Sequence, residues 1–259
     1  MVCRRILFLG DIFGEPGLRA IEERLAGLAG DCGAHLVIAN GENSAGGLGI
    51  NATCAQRILR AGVQVITTGN HVWHKRELLA QIEDFPTLVR PANYPAGTPG
   101  QGCCVVDAEG VPVAVACLVG RVFMTALDCP FQAADTLLSK LREDVRVVIV
   151  DFHAEATSEK QALGHYLDGR VSAVLGTHTH VATADAHVLA GGTGYISDVG
   201  MTGPRDSVIG MPKDRAVRRF VTQLPQRPGV ADGPASVCGA LVEVDGDSGR
   251  CLRIERVEV

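Results

Sequence analysis

Short, nearly unbroken apolar runs recur along the chain at Ile6–Leu9, Leu36–Ala39, Val63–Thr67, Val113–Val119, Val145–Val150, Val171–Leu175 and Leu241–Val244. They are rich in β-branched residues and scarcely alternate with polar ones, which predicts strands buried on both faces. Between several of them the apolar period lengthens to that of a helix. Pro16–Leu28 has proline near its start and places Leu18, Ile21, Leu25 and Leu28 on one face. A second helix is predicted over Asn51–Leu59 with Asn51 as N-cap. Phe131–Leu141 and Glu159–Tyr166 complete the set, and Ser158 and Gln161 stand at capping-box spacing for the last. Strands alternating with helices predict an α/β architecture. The segment Phe85–Gly102 holds four prolines and three glycines and predicts a long ordered loop, and a second loop is expected over Asp198–Asp214. No repeat, low-complexity tract or charge block divides the chain, so one domain over residues 1–259 is expected.

Composition narrows the functional classes. Of the 259 residues, 46% are hydrophobic and 20% charged, which argues against disorder. The formal net charge of −5 argues against general nucleic-acid binding, which calls for a basic face. A nucleotide substrate stays compatible, because bound metal ions supply positive charge locally. The nine cysteines contain no C-x-x-C pair, so neither a thiolate zinc site nor a thioredoxin-like motif is supported. The opening MVCRRILFLGD has too short an apolar run for a signal segment, and Val111–Val119 stops at Gly120-Arg121, short of a membrane span. A cytoplasmic protein with reduced thiols and no membrane association is expected.

The chemistry sits where the strands end. Asp11 follows the first run in LFLGD, Glu42 and Asn43 follow the second in NGEN, and Asn70 and His71 follow the third in TTGNH. His153 follows a later run in VIVDFH, and His178 and His180 follow the next in LGTHTH. Ligands of open α/β sheets bind at the carboxyl ends of strands, so these segments aim carboxylate, amide and imidazole donors at one edge. Taken singly, Gly-Asp, Asn-Gly and Gly-Asn are turn dipeptides and a strand-end histidine is ordinary packing. His-x-His says more, because alternate strand residues share a face. The ordered combination is what turns alone do not explain.

That order, GD, GEN, GNH, His and GTHTH, resembles the calcineurin-like metallophosphoesterases, whose usual pattern is D-x-H, GD, GNH, a lone His and GHxH. Two departures stand out: Phe13 replaces the histidine of the first motif, and Glu42 replaces the second aspartate. The strings GDIFGEPG, NGENSAGGLGI, TTGNHVWHK, RPANYP, DFHAEATSEK, GTHTHVATAD and SDVGMTGP closely resemble the YmdB-like subfamily, from Ile6 to at least Met211. Its members are described as phosphodiesterases acting on 2′,3′-cyclic mononucleotides. The resemblance implies two packed β-sheets flanked by helices, a four-layer sandwich. It implies one metal held by Asp11, Glu42, Asn43 and His180, and another held by Glu42, Asn70, His153 and His178. Glu42 would bridge, Asn43 would compensate for the histidine missing at Phe13, and His71 would be the general acid.

The residue types suit that chemistry. Two cations about 3.5–4 Å apart can hold a bridging hydroxide and clamp a phosphoryl group. An uncoordinated histidine beside a ligand suits protonation of the departing ribose oxygen. Carboxylate, amide and imidazole together favour iron or manganese, with zinc compatible. Asp151, Glu155 and Asp185 are candidates to orient ligand imidazoles, and His74, three residues after His71, is a candidate second proton donor. His35, His165 and His187 are read as ordinary residues, Trp73 as packing, and Gly46, Gly47 and Gly49 as backbone able to approach phosphate without a P-loop lysine. The expected activity is hydrolysis of a small cyclic phosphodiester. The alternatives are a broad phosphomonoesterase or diesterase, and a regulatory RNA-associated protein with a mainly structural metal site. His71 beside a full ligand set favours the enzyme, since a structural site needs no proton donor. A homo-oligomer is expected only on general grounds.

Overall fold

The computed structural model describes residues 2–227 and 229–259. Its first sheet runs β15 (Cys251–Glu258), β14 (Cys238–Asp245), β1 (Cys3–Leu9), β3 (Leu36–Asn40), β4 (Val65–Thr67) and β5 (Leu88–Val89). From β1 to β5 the strands are parallel, and β14 is antiparallel to both β1 and β15. The second sheet runs β10 (His187–Val188), β11 (Gly194–Ile196), β9 (Ala173–Thr177), β8 (Val147–His153), β7 (Pro112–Val119) and β6 (Cys103–Asp107). A small third sheet joins β13 (Ala235–Ser236), β12 (Met201–Pro204) and β2 (Asp11–Ile12). The helices are α1 (Gly14–Cys32), α2 (Ala52–Arg60), α3 (Leu78–Gln81), α4 (Pro130–Leu138), α5 (Thr157–Leu167) and α6 (Lys213–Thr222).

Alternation along each strand builds the layers. Ile6 and Phe8 of β1 point between the sheets, where they pack with Val113, Val115 and Cys117 of β7 and Ile149 of β8. Leu7 and Leu9 point the other way, onto Leu18, Ile21 and Leu25 of α1 and Ile58 of α2. On the far side, Ala114 and Leu118 of β7 meet Ala134 of α4 and Leu163 and Leu167 of α5. Helix, sheet, sheet, helix is the expected four-layer sandwich, and it explains why the strand runs carry no polar alternation.

Local signals held unevenly. Asn51 caps α2, its side chain accepting from Cys54 N at 2.9 Å. Asn51→Ala should therefore cost about 1 kcal/mol, read as a lower denaturant midpoint with unchanged slope. The capping box at Ser158 and Gln161 does not form. Helix α5 begins at Thr157 with Ala156 as N-cap and no side-chain cap, which places Ser158 inside the first turn. The two expected loops contain β5 and β12, short strands set among prolines and glycines. Strand β8 runs on to His153, three residues past the apolar run. All nine cysteines are unpaired thiols. No helix among the described residues is long and apolar enough to cross a membrane.

Candidate metal centre

The strand ends bring the candidate donors together. Asp11 starts β2 immediately after Gly10, where a Cβ would lie 1.8 Å from the Gly200 carbonyl oxygen, so only glycine lets the chain turn there. Glu42 and Asn43 follow β3, Asn70 and His71 follow β4, His153 ends β8, and His178 and His180 follow β9. Gly69 is held to glycine by the site itself: a Cβ would stand 2.2 Å from Glu42 Oε2 and 2.5 Å from His153 Nε2.

His153 Nε2 is the focus. It lies 2.9 Å from Glu42 Oε1, 3.0 Å from Asn70 Oδ1 and 3.0 Å from His178 Nδ1. One ring nitrogen carries at most one proton and cannot satisfy three such neighbours. Donors arranged around a cation at bonds of about 2.0–2.1 Å stand roughly 2.9–3.4 Å apart, from octahedral to tetrahedral geometry, which spans the spacing here. Glu42, His153 and His178 form a group of potential ligands with all three donor atoms within 4.8 Å of one another.

The second group is Asp11, Asn43 and His180. Asp11 Oδ2 lies 3.7 Å from His180 Nε2, and Asp11 Oδ1 lies 3.7 Å from His153 Nδ1. Asp11 Oδ1 and Asn43 Oδ1 are buried oxygens with no hydrogen-bond partner. Such atoms cost free energy unless something meets them. Phe13 stacks edge-on against His180 at 5.4 Å with a ring that offers no ligand. The chemistry of the donor set and these orphaned oxygens fit a metal centre.

Electrostatics agree. Burial alone would raise the Glu42 carboxyl, but the neighbouring His153 ring, with His71, draws it down to about 2. Burial would lower the His153 ring, but Glu42, Asp11 and Asp151 hold it up at about 9. Burial, and then repulsion from His153, push His178 down to about 3. Burial raises the Asp11 carboxyl against the opposing pull of His153 and His180. His71 is lowered by burial, with Glu42 opposing. The cluster thus sets the His153, His178 and His180 imidazoles against the Asp11 and Glu42 carboxylates, a donor set suited to a cation once the rings are unprotonated.

Around this lies a supporting shell. His153 Nδ1 meets Thr177 Oγ1 at 2.9 Å, and Thr177 donates to Asp151 Oδ1 at 2.7 Å. Asp151 also accepts from Asn40 Nδ2 at 2.9 Å and from Thr67, and burial lifts its carboxyl to about 6. Glu155 meets His178 Nε2 directly at 3.1 Å. Asp185 does not touch an imidazole of the cluster. It binds the Ser197 backbone N at 3.1 Å and the Thr183 hydroxyl at 2.6 Å, anchoring a neighbouring loop instead. His74 is in contact with His71, Nδ1 to Nδ1 at 3.3 Å.

Residues that carried no signal of their own also matter. His178 and His180 have positive φ of 99° and 64°, a conformation that costs non-glycine residues free energy. Asp198 pins the residue between them, accepting from Thr179 N at 3.0 Å and Thr179 Oγ1 at 2.8 Å. The same oxygen takes Lys160 Nζ at 2.8 Å, and both side chains are almost fully buried. His178 N donates to Asp11 Oδ2 at 2.9 Å, a further restraint on that turn. Lys160→Ala should leave Asp198 buried without its cation and cost about 3 kcal/mol, measurable by urea unfolding.

Known proteins match this chain along nearly its whole length. The 2′,3′-cyclic-nucleotide 2′-phosphodiesterase of Bacillus subtilis (strain 168) is 47% identical over 253 residues, covering 98% of this chain and 96% of the relative. A solved protein from Thermus thermophilus, described as hypothetical, superposes with a TM-score of 0.91 at 44% identity, covering 98% of each chain. A structure described as a novel phosphatase, from Mycoplasma pneumoniae, superposes with a TM-score of 0.94 at 35% identity, covering 100% of this chain and 94% of its own. The pattern of the YmdB-like proteins matches residues 7–257, and with relatives this similar the chain belongs to the YmdB-like protein family.

Proposed function

We propose that the chain is a single-domain, metal-dependent phosphodiesterase that hydrolyses 2′,3′-cyclic nucleotides. The observation that carries this is the convergence of unmet donors: the Asp11 and Asn43 oxygens without partners, and His153 Nε2 facing Glu42, Asn70 and His178 at once. Asp11, Glu42, Asn43 and His180 would hold one ion, and Glu42, Asn70, His153 and His178 the other, with Glu42 shared. Carboxylate, amide and imidazole donors favour iron or manganese and are compatible with zinc. Two such ions supply Lewis acidity and a nucleophile available near neutral pH.

The chain's own residues do the rest. Glu42 Oε2 accepts from the His71 backbone N at 3.0 Å, which ties the His71 turn to the ligand cluster. His71 Nδ1 meets His74 Nδ1 at 3.3 Å and Nε2 lies 3.5 Å from Asn70 Nδ2, a long contact that Nε2 would exchange for the departing ribose oxygen when it gives up a proton. Phe13, Leu48, Ile209 and Met211 line the same cleft of about 470 Å3 and provide apolar surface for a base. The B. subtilis relative's name supplies the substrate class, and its similarity supports carrying that class over.

The test is metal analysis of protein purified without chelators, coupled to hydrolysis of cyclic nucleotides, linear diesters and monoesters. About two ions per chain and a preference for 2′,3′-cyclic nucleotides, both abolished by chelation, are expected. Preference for monoesters would reassign the reaction to a phosphatase. Full activity in metal-stripped protein would end the metal assignment.

A further inference from the structure

The cleft holds one cationic residue type that the reaction above does not use. Its charged lining residues other than histidine are Glu42, Glu155 and Arg219. Glu155 is engaged by His178, and Glu42 belongs to the ligand cluster. Arg219 comes from α6, and the following segment adds Gln226 and Gly229 to the same wall. Arg215 Nη1 lies beside Gly229, 2.8 Å from where a Cβ at that position would stand. Among the described residues neither guanidinium has a carboxylate partner, in a chain whose net charge is −5. An arginine fork left unpaired beside a substrate cleft is suited to bidentate capture of a phosphate.

A nucleoside 2′,3′-cyclic phosphate carries one phosphate, and the proposed metal centre takes it. Such a molecule offers Arg219 no second phosphate. The position that adds a second phosphate to the same nucleotide is the 5′-oxygen, at the other end of the ribose from the reacting edge. In an RNA strand that 5′-phosphate is the link to the preceding nucleotide. Strand cleavage by a ribose 2′-hydroxyl leaves a terminus of this kind, a 2′,3′-cyclic phosphate with a phosphate on its 5′ side.

We propose that Arg219 is a specificity-determining residue that binds the 5′-phosphate of the reacting nucleotide, so that the cleft favours the cyclic-phosphate terminus of an RNA strand over the bare nucleoside cyclic phosphate. This rests on the phosphodiesterase reading. The reaction class that supplies the substrate is then RNA transesterification. The strand enters by its last nucleotide alone, in keeping with the absence of a basic composition for longer tracts.

The test compares kcat and KM for adenosine 2′,3′-cyclic phosphate, its 5′-phosphorylated form, and a trinucleotide ending in the same cyclic phosphate. The 5′-phosphate should raise kcat/KM roughly tenfold, mainly through KM, the scale of a charge-assisted hydrogen bond. R219A should collapse the ratio between phosphorylated and bare substrates to near one, and R219K should restore part of it. Equal gains for the trinucleotide and the 5′-phosphorylated nucleotide would mean that this phosphate alone is read. A larger gain for the trinucleotide would overturn entry by the last nucleotide alone. No gain from the 5′-phosphate in the native protein overturns the proposal. So does an R219A variant that slows all three substrates by the same factor, which would place Arg219 on the reacting phosphate. Calorimetric binding of adenosine 3′,5′-bisphosphate against adenosine 3′-phosphate separates this from the parent reading. An Arg219-dependent preference without turnover of any cyclic substrate would keep the phosphate contact and end the phosphodiesterase assignment.

Discussion

Glu42→Gln is expected to lower kcat by roughly 10³-fold while the chain stays folded and binds less metal. The substitution keeps the shape of the side chain and removes its charge. Glu42 Oε1 faces His153 Nε2 at 2.9 Å and Oε2 takes the His71 backbone N at 3.0 Å, so both oxygens are already committed within the cluster. A shared carboxylate screens two cations from each other, and a neutral amide does not. Burial would raise the carboxyl, but the neighbouring His153 and His71 draw it below the usual carboxylate range, which favours the charged form that the substitution removes. Metal content by atomic emission and rate on a 2′,3′-cyclic nucleotide are measured together. Native values for both would show that Glu42 does not bridge.

His71→Ala should act differently: a loss of about 10²–10⁴-fold in kcat with near-native metal content. Asn70, not His71, presents its oxygen to His153, at 3.0 Å. The loss should shrink for a nitrophenyl phosphodiester, whose phenolate leaves without a proton, and stay large for a ribose leaving group. His153→Ala, by contrast, removes the ring at the centre of the cluster and should harm both substrates alike. Loss of metal in the His71 variant would make that residue a ligand. Equal slowing of both substrates with metal retained would make it a phosphate-positioning group.

The α/β alternation was legible because the strands are buried on both faces, so apolar runs such as Ile6–Leu9 and Val113–Val119 stand out against polar helix faces, whereas the stacking of two sheets into a sandwich was implied only by the family resemblance. Strand β15 was not, because Cys251–Glu258 alternates apolar and charged residues at a sheet edge and resembles a solvated segment. Helix α6 was not, because only Ala216 of it is buried and half of its residues are charged. The candidate ligands were legible as unusual residue types placed after strands. Their supports were not: Thr177, Lys160 and Asp198 are ordinary in sequence and gain meaning from contacts across the fold. Asp185 had the right residue type and the wrong neighbours. The positive φ of His178 and His180 had no sequence signal, since glycine and asparagine mark such positions and histidine seldom does.

The pairing of β1 has a consequence in time. Leu9 and Cys3 are matched to Gly239 and Asp245, so the strand that leads into Asp11 is flanked on one side by chain made more than two hundred residues later. Loop closure of that length is slow, and such contacts form late. During synthesis, α1, α2 and the β3–β4 edge can collapse early, with Glu42 and Asn70 already near each other. The sheet that fixes Asp11 stays open until the C-terminal hairpin emerges from the ribosome. A nascent chain would thus cover Ile6 and Phe8 once β7 and β8 are made, but would keep the β14-side edge of β1 unpaired almost to the end of translation, and would complete its metal ligands last of all at Asp11.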